Sequence, residues 1–172
     1  SILFNKSMQS NEIPTDWKTA NVVPIFKSGA KCDPSNYRPI SLTSVVVRVM
    51  ERILKQKILS HLNVNKLINQ SQHGFLPRKS TSTNLICYMD YLTKKLDEGL
   101  PVDVLYLDFS KAFDVVPHKR LIQELKCYKL SKEVIAWIET WLANRKQRVL
   151  VDGIFSDWTD VESSVIQGSV LG

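Results

Sequence analysis

The chain has 172 residues, of which 44% are hydrophobic and 23% are charged, with 6 Gly and 7 Pro. This composition is typical of a single globular domain with a buried core, and it excludes collagen-like, coiled-coil and wholly disordered chains. Residues 1–100 contain 14 Lys and Arg against 7 Asp and Glu, whereas residues 101–172 contain 9 against 10. The first part is therefore +7 and the second −1, and the positive excess favours a polyanionic partner such as nucleic acid.

Other classes of protein leave no trace in the sequence. No apolar run approaches the roughly 20 residues of a membrane-spanning helix. The opening residues have neither a basic leader nor a long apolar stretch, so we expect no signal peptide. Because it begins with Ser1, we expect a fragment or a processed piece. The odd, scattered cysteines, Cys32, Cys87 and Cys127, favour neither disulfides nor a zinc site, so we expect an intracellular protein of either nucleus or cytoplasm.

The first predicted elements are a strand and an amphipathic helix. Residues 20–26 are strand-like although Pro24 interrupts them, and residues 27–36 form a polar loop. Between residues 44 and 62 apolar side chains recur at helical spacing. Charged residues fall between them and are predicted to form a largely basic outer face: Arg48, Glu51, Arg52, Lys55 and Lys57.

A second helix and a strand follow. The Ser/Thr cluster at residues 80–83 predicts the cap of a helix that Gly99 and Pro101 end. Residues 102–107 are mostly apolar and β-branched, which predicts a buried strand ending at Asp108. The carboxyl ends of strands are where open α/β sheets place their sites.

The last predicted elements are two helices and a hairpin. The helices cover residues 118–128 and 131–144, and the helical spacing of Trp137 and Trp141 favours core packing over base stacking. The Asp152-Gly153 pair predicts a tight turn in a hairpin that begins near residue 147.

Common nucleotide and hydrolase motifs are missing. Neither GxxxxGK[ST] nor GxGxxG occurs. Ser110, His118 and Asp108 are the residue types of a hydrolytic triad, but no GxSxG elbow exposes the serine, which disfavours that chemistry.

Four blocks in order resemble a known family. Residues 105–118 read LYLDFSKAFDVVPH and resemble motif A of reverse transcriptases, in the form typical of jockey-like non-LTR retrotransposons. The other blocks are NYRPISL at 36–42, QHGFLPRKST at 72–81 and QGSVLG at 167–172. The resemblance implies an α/β (α+β) chain with the right-hand polymerase fold, in which residues 1–100 belong to the fingers and 101–172 to an incomplete palm.

By this resemblance, Asp108 is the first metal-binding carboxylate, and the backbone carbonyl of Phe109 is a second oxygen donor. Nucleotidyl transfer by two metal ions would use Mg²⁺, with Mn²⁺ possible, because these hard cations prefer oxygen ligands. Asp108 capping the next helix is the alternative. Asp114 is interpreted as structural.

The resemblance also implies a nucleotide site. Phe113 corresponds to the steric gate against a 2′-hydroxyl, with a core aromatic beside Phe109 as the alternative. Gln167 contacts the incoming nucleotide, and Gly168 allows close backbone approach. Ile166 stands where the family usually has Pro, which leaves the backbone before Gln167 less restricted.

Cations of the predicted fingers complete the expected site. Lys27 and Arg38 align with residues that hold the triphosphate, although Lys31 is an alternative to Lys27, and Arg38 could instead tie down its own loop. The template-contact block contributes four residues, for which a structural loop is the alternative: Gln72, Gly74, Phe75 and Arg78.

The expected function is that of a fragment of an RNA-directed DNA polymerase, which copies retrotransposon RNA into DNA. Its partners would be an RNA template, a DNA primer and deoxynucleoside triphosphates. The Tyr-x-Asp-Asp motif of the family does not occur in the chain, so we expect the chain to be inactive by itself. The alternative is a noncatalytic RNA-binding or interaction remnant of a decayed element.

Overall fold

The computed structural model describes residues 2–171, so Ser1 and Gly172, the last residue of the fourth block, lie outside the described residues. The described chain forms two compact units. The first contains the residues up to His61 and those from Lys111 onward, and the second is Leu62–Ser110.

Helices and strands alternate along the chain. The helices are α1 (Ile2–Ser10), α2 (Val45–Val64), α3 (Thr81–Asp97), α4 (His118–Cys127) and α5 (Lys132–Leu142), and the short 3₁₀ helices are Thr15–Trp17 and Pro34–Asn36. The strands are β1 (Thr19–Phe26), β2 (Tyr37–Leu42), β3 (Arg145–Val151), β4 (Ile154–Phe155) and β5 (Thr159–Val161).

The first unit is built on a mixed sheet. Strand β1 pairs antiparallel with β2 and parallel with β3, and β3 pairs antiparallel with β4 and β5. Pro24 lies opposite Pro39 in the β1–β2 ladder, beyond the stretch of β1 that pairs with β3. Proline has no N–H to donate, so it fits there, where β1 has no second neighbour among the described strands.

Helices α2, α4 and α5 supply most of the core of the first unit. Trp137 and Trp141 are 0% and 2% exposed and stack on each other with ring centroids 6.1 Å apart. The indole N–H of Trp137 donates to Ser7 Oγ at 3.1 Å, which ties α5 to α1. The prediction that the two tryptophans are core residues is confirmed.

Most of the elements predicted from the sequence are present. Strand β1 and helices α2 to α5 lie where the periodicity predicts them. Ser80 forms the predicted cap of α3, because its hydroxyl accepts from the N–H of Thr83 at 3.2 Å. Asp152 and Gly153 have φ of 50° and 81° and join β3 to β4, as the hairpin prediction requires.

The prediction of a strand over residues 102–107 is wrong. These residues have no regular secondary structure, and Leu105 and Leu107 are 82% and 84% exposed. A strand is stable only when a neighbour pairs with its backbone, and no strand among residues 2–171 pairs with this segment. Helix α1 and strand β2 were not predicted.

The second unit contains α3, the loop before it and the segment after it. None of the residues of α3 is buried. The hydroxyls of Tyr88 and Tyr106 are hydrogen-bonded at 2.8 Å, which links α3 to the irregular segment that follows it. No described helix combines the length and apolar character that crossing a bilayer demands.

Candidate functional site

A tight turn around Gly168 lies against strand β2. Gly168 has φ of +103°, and a Cβ added to it would be 2.8 Å from the carbonyl oxygen of Ser41. The N–H of Ser41 donates to the carbonyl oxygen of Gln167 at 2.7 Å. Only glycine allows both this backbone conformation and so close an approach of the turn to the backbone of β2. The turn therefore packs directly against β2.

The side chain of Gln167 is held by Asp114. Its Nε2 donates to Asp114 Oδ1 at 2.9 Å. The backbone of the two segments also pairs, because the N–H of Val165 donates to the carbonyl oxygen of Phe113 at 2.8 Å. The structure therefore brings together four residues that the sequence singled out: Phe113, Asp114, Gln167 and Gly168.

These contacts border a cleft of about 460 Å³ in the first unit. Its lining combines apolar side chains of β1 and β3 with Asp114, Gln167 and Lys146. Lys146 Nζ is 3.9 Å from Asp160 Oδ1 in an exposed ion pair. A cleft with apolar walls and a few convergent polar groups is the usual form of a small-molecule site.

Arg38 lies on strand β2, three residues before Ser41, and is exposed. Side chains two positions apart share a face of a strand, so Arg38 shares the face of Ile40. Ile40 Cγ2 would lie 3.4 Å from a Cβ at Gly168, which places the turn at this face. The guanidinium forms no hydrogen bond or ion pair with any residue that the structure describes.

The two candidate lysines lie in the loop between β1 and β2. Lys27 is exposed at the end of β1, and its N–H donates to the carbonyl oxygen of Asn36 at 2.8 Å. Lys31 Nζ lies 5.9 Å from the ring centroid of Phe26, within reach of a cation–π interaction. Lys27 has no such ring contact among the described residues, which keeps it the better candidate for a phosphate ligand.

The predicted template loop belongs to the second unit and is closed by a lysine. Lys79 Nζ donates to the carbonyl oxygens of Gln70 and Gln72 at 2.7 Å each. Phe75 is 77% exposed, and both Phe75 and Arg78 have positive φ, at 59° and 63°. Gly74 precedes Phe75 in the loop, and the side-chain amide of Gln72 donates to the carbonyl oxygen of Gly74 at 3.2 Å.

Asp108 and Phe109 also lie in the second unit, in the irregular segment. The prediction that Asp108 ends a buried strand is wrong, because the segment is exposed. A carboxylate and a backbone carbonyl are hard oxygen donors that suit Mg²⁺. The donor type therefore fits, but within residues 2–171 no three His, Cys, Asp or Glu side chains are grouped as metal ligands.

Glu51 was placed on the outer face of α2 by its sequence, and this prediction is wrong. Glu51 is 0% exposed, and its Oε2 accepts from the N–H of Val170 at 2.6 Å. Burial raises the pKa of this carboxyl, against the opposing effect of the two backbone N–H donors and of Arg145 and Arg48. The sequence did contain an indication of this burial, because Glu51 lies four residues after Val47, on the apolar face of the helix.

Arg145 is the second buried charge that sequence reasoning missed. Its Nη1 donates to the carbonyl oxygen of Trp141 at 3.1 Å and to that of Trp17 at 3.4 Å. The guanidinium carbon lies 5.0 Å from the ring centroid of Trp141. Burial lowers the pKa of Arg145 to about 10, and Glu51 acts in the opposite direction.

A family model and several known proteins match this chain along most or all of its length. A family model described as reverse transcriptase (RNA-dependent DNA polymerase) matches residues 25–172. The chain belongs to this family.

Several of the similar proteins are named as RNA-directed DNA polymerases of mobile elements or transposons. The "RNA-directed DNA polymerase from mobile element jockey" is 29% identical in Drosophila melanogaster and 30% in Drosophila funebris, over 100% and 99% of this chain. The "Probable RNA-directed DNA polymerase from transposon X-element" of Drosophila melanogaster is 28% identical over 100% of this chain. The chain spans 19% of the length of each of these proteins.

Proposed function

We propose that this chain forms the nucleotide-binding part of an RNA-directed DNA polymerase of a non-LTR retrotransposon. The observation that carries the proposal is the Gln167 turn, with its backbone held by Ser41 and its side-chain amide by Asp114, beside a cleft of about 460 Å³. A preorganised amide at a cleft can contact an incoming deoxynucleoside triphosphate without first being ordered.

The phosphates of the nucleotide would meet the exposed cations of β1 and β2. Arg38 offers a planar fork of donors that suits a triphosphate, and Lys27 adds a point charge at the end of β1. Among the described residues the guanidinium of Arg38 has no hydrogen-bond or ion-pair partner. This supports phosphate binding by Arg38 over the alternative that it holds its own loop in place. Phe113 would pack against the sugar, since its carbonyl oxygen accepts from the N–H of Val165, two residues before Gln167.

Template RNA would lie along the loop of the second unit. Its exposed Phe75 offers an aromatic face for stacking, and Arg78 offers a cation for phosphate. Lys79 holds the loop closed through two backbone carbonyls, which fixes the place from which Gln72 and Gly74 would contact the template. A DNA primer would complete the substrate.

Asp108 would hold Mg²⁺, or Mn²⁺, through its carboxylate, with the carbonyl of Phe109 as a second donor. A divalent cation held there would supply positive charge to phosphate oxygens. The right-hand arrangement, with fingers over residues 1–100 and palm over 101–172, belongs to the same proposal.

The experiment is primer extension by the polymerase that contains this chain, with Gln167→Ala and the matched variant Gln123→Ala. Gln123 is an exposed residue of α4. We expect Gln167→Ala to raise the KM for deoxynucleoside triphosphate by about tenfold, the effect of losing one hydrogen bond to a charged or polar ligand group. Equal KM values for the two variants would contradict the nucleotide assignment.

A further inference from the structure

Helix α2 carries a fully buried carboxylate that ends on the backbone of the Gln167 turn. Glu51 is 0% exposed, and Oε2 accepts from the N–H of Val170 at 2.6 Å, 119 residues away in the chain. A buried carboxylate is costly unless hydrogen bonds replace its water. The N–H of Val170 satisfies Oε2, whereas the buried Oε1 has no hydrogen-bond partner among the described residues.

The turn is thereby held at both ends by one continuous piece of chain. Ser41 of β2 donates to the carbonyl oxygen of Gln167 at the start of the turn, and Glu51 of α2 accepts from Val170 at its end. Only Thr43 and Ser44 separate β2 from α2. Strand and helix therefore act as a clamp whose two contacts bracket Gly168.

We propose that Glu51 is a positioning residue that sets the geometry with which Gln167 meets the nucleotide. The inference rests on the proposed function, because Gln167 is taken as the nucleotide contact. Glu51 itself is fully buried, so it would touch no substrate. Its effect would pass through the backbone of residues 167–171.

The acceptor oxygens of Glu51 are the part of the side chain that matters. The carboxyl group has two oxygens, of which Oε2 takes the Val170 N–H, whereas the amide of Glu51→Gln has one oxygen and brings an N–H₂ group into the buried site. Glu51→Asp keeps both acceptors but is one methylene shorter. We therefore expect Glu51→Gln to loosen the turn and Glu51→Asp to restore part of its order.

The first measurement is amide hydrogen exchange on the 172-residue chain. In Glu51→Gln, the amide of Val170 should exchange at least about tenfold faster, because its hydrogen bond to the carboxyl oxygen is weakened or lost. Ile135→Ala is the matched control, since Ile135 is 7% exposed and belongs to the same core. If Ile135→Ala accelerated hydrogen exchange at Val170 equally, the effect would not be specific to the Glu51 contact and the inference would be wrong.

The second measurement is steady-state primer extension by the polymerase that contains this chain, with KM and kcat resolved. We expect Glu51→Gln to raise the KM for deoxynucleoside triphosphate by about tenfold with a smaller change in kcat, and Glu51→Asp to recover part of it. Should Glu51→Gln fail to fold, Glu51→Asp carries the test, with a smaller rise in KM expected.

The outcomes separate the two proposals. If Gln167→Ala raises KM while the Glu51 variants match Ile135→Ala in KM, the positioning role is wrong and the nucleotide assignment stands. If Gln167→Ala leaves KM unchanged, the nucleotide assignment is wrong and the effect inferred for Glu51 on KM is wrong with it. Hydrogen exchange then still decides whether Glu51 orders the turn.

Discussion

The side-chain amide of Gln167 donates to the carboxylate of Asp114 at 2.9 Å, across 53 positions of the chain. Gln167 follows the buried Ile166, and Asp114 lies in the turn that precedes α4. The orientation of the amide is therefore set by a residue from another segment, and the nucleotide contact proposed for Gln167 depends on it.

Asp114→Ala should raise the KM for deoxynucleoside triphosphate by several-fold in the polymerase that contains this chain. The amide of Gln167 loses its acceptor and becomes free to rotate, and one such hydrogen bond is worth about 1–3 kcal/mol. Asp114→Asn retains a carbonyl oxygen as acceptor and serves as the control. A KM in Asp114→Ala equal to that of the unchanged protein would show that Gln167 needs no such partner.

Gly168→Ala should destabilise the first unit far more than Gly153→Ala. Both glycines have positive φ, but a Cβ at Gly168 would be 2.8 Å from the Ser41 carbonyl oxygen, whereas nothing lies within 4 Å at Gly153. We expect a loss of about 1 kcal/mol at Gly153 from backbone strain and at least about 2–3 kcal/mol at Gly168. Urea unfolding of the 172-residue chain measures both, and equal losses would contradict the close approach.

Glu51 should make the chain less stable as the pH rises above 4.5, its ordinary pKa. Burial raises its pKa in the folded state, so between the two pKa values the folded chain binds more protons than the unfolded chain, and stability falls with pH. The charged groups around it are Arg48 of α2 and Arg145 of β3, beside the N–H groups of Val170 and Leu171.

The measurement is the free energy of unfolding of the wild-type chain and of Glu51→Gln over this pH range. Relative to the variant, the wild type should lose stability with a slope of at most about 1.4 kcal/mol per pH unit, and the difference should level off above the folded-state pKa. A difference that stays constant with pH would mean that Glu51 keeps its ordinary pKa.

Arg78→Ala should weaken binding of single-stranded RNA to the chain and reduce its salt dependence. Each phosphate contact on a single strand contributes about 0.7 to the slope of log affinity against log salt, so the slope should fall by roughly that amount. Lys94→Ala removes an exposed cation of α3 and is the control. If the slope of log affinity against log salt were unchanged in Arg78→Ala, Arg78 would not be a contact of the template phosphates.

Phe113→Val should increase the use of ribonucleotides relative to deoxyribonucleotides by the polymerase that contains this chain. The smaller side chain leaves room for a 2′-hydroxyl beside the proposed sugar position. Primer extension with each nucleotide gives the ratio of kcat/KM values, and Phe4→Val, at a partly buried core residue of α1, controls for lost stability. If a folded Phe113→Val variant discriminated between ribonucleotides and deoxyribonucleotides as before, Phe113 would be a packing residue and not a steric gate.

Local patterns of residues were enough to predict most helices and the hairpin of this protein. Helical periodicity and the Ser80 cap depend on neighbours within a few residues, and the Asp152-Gly153 turn needs only two positive φ values. These features are visible in any stretch of the chain, which is why α2 to α5, β1 and the hairpin were predicted. The blocks of motif residues are equally local and led to the family.

Strand pairing and burial, by contrast, depend on contacts between segments that are far apart in the chain. The strand-like residues 102–107 stay irregular because a strand needs a paired neighbour, whatever its own composition. Glu51 is a charged residue among charged residues in the sequence, yet it is buried, and the N–H of Val170, 119 positions away, donates to its carboxylate. Contacts of this kind join distant segments, so no local pattern of residue types encodes them.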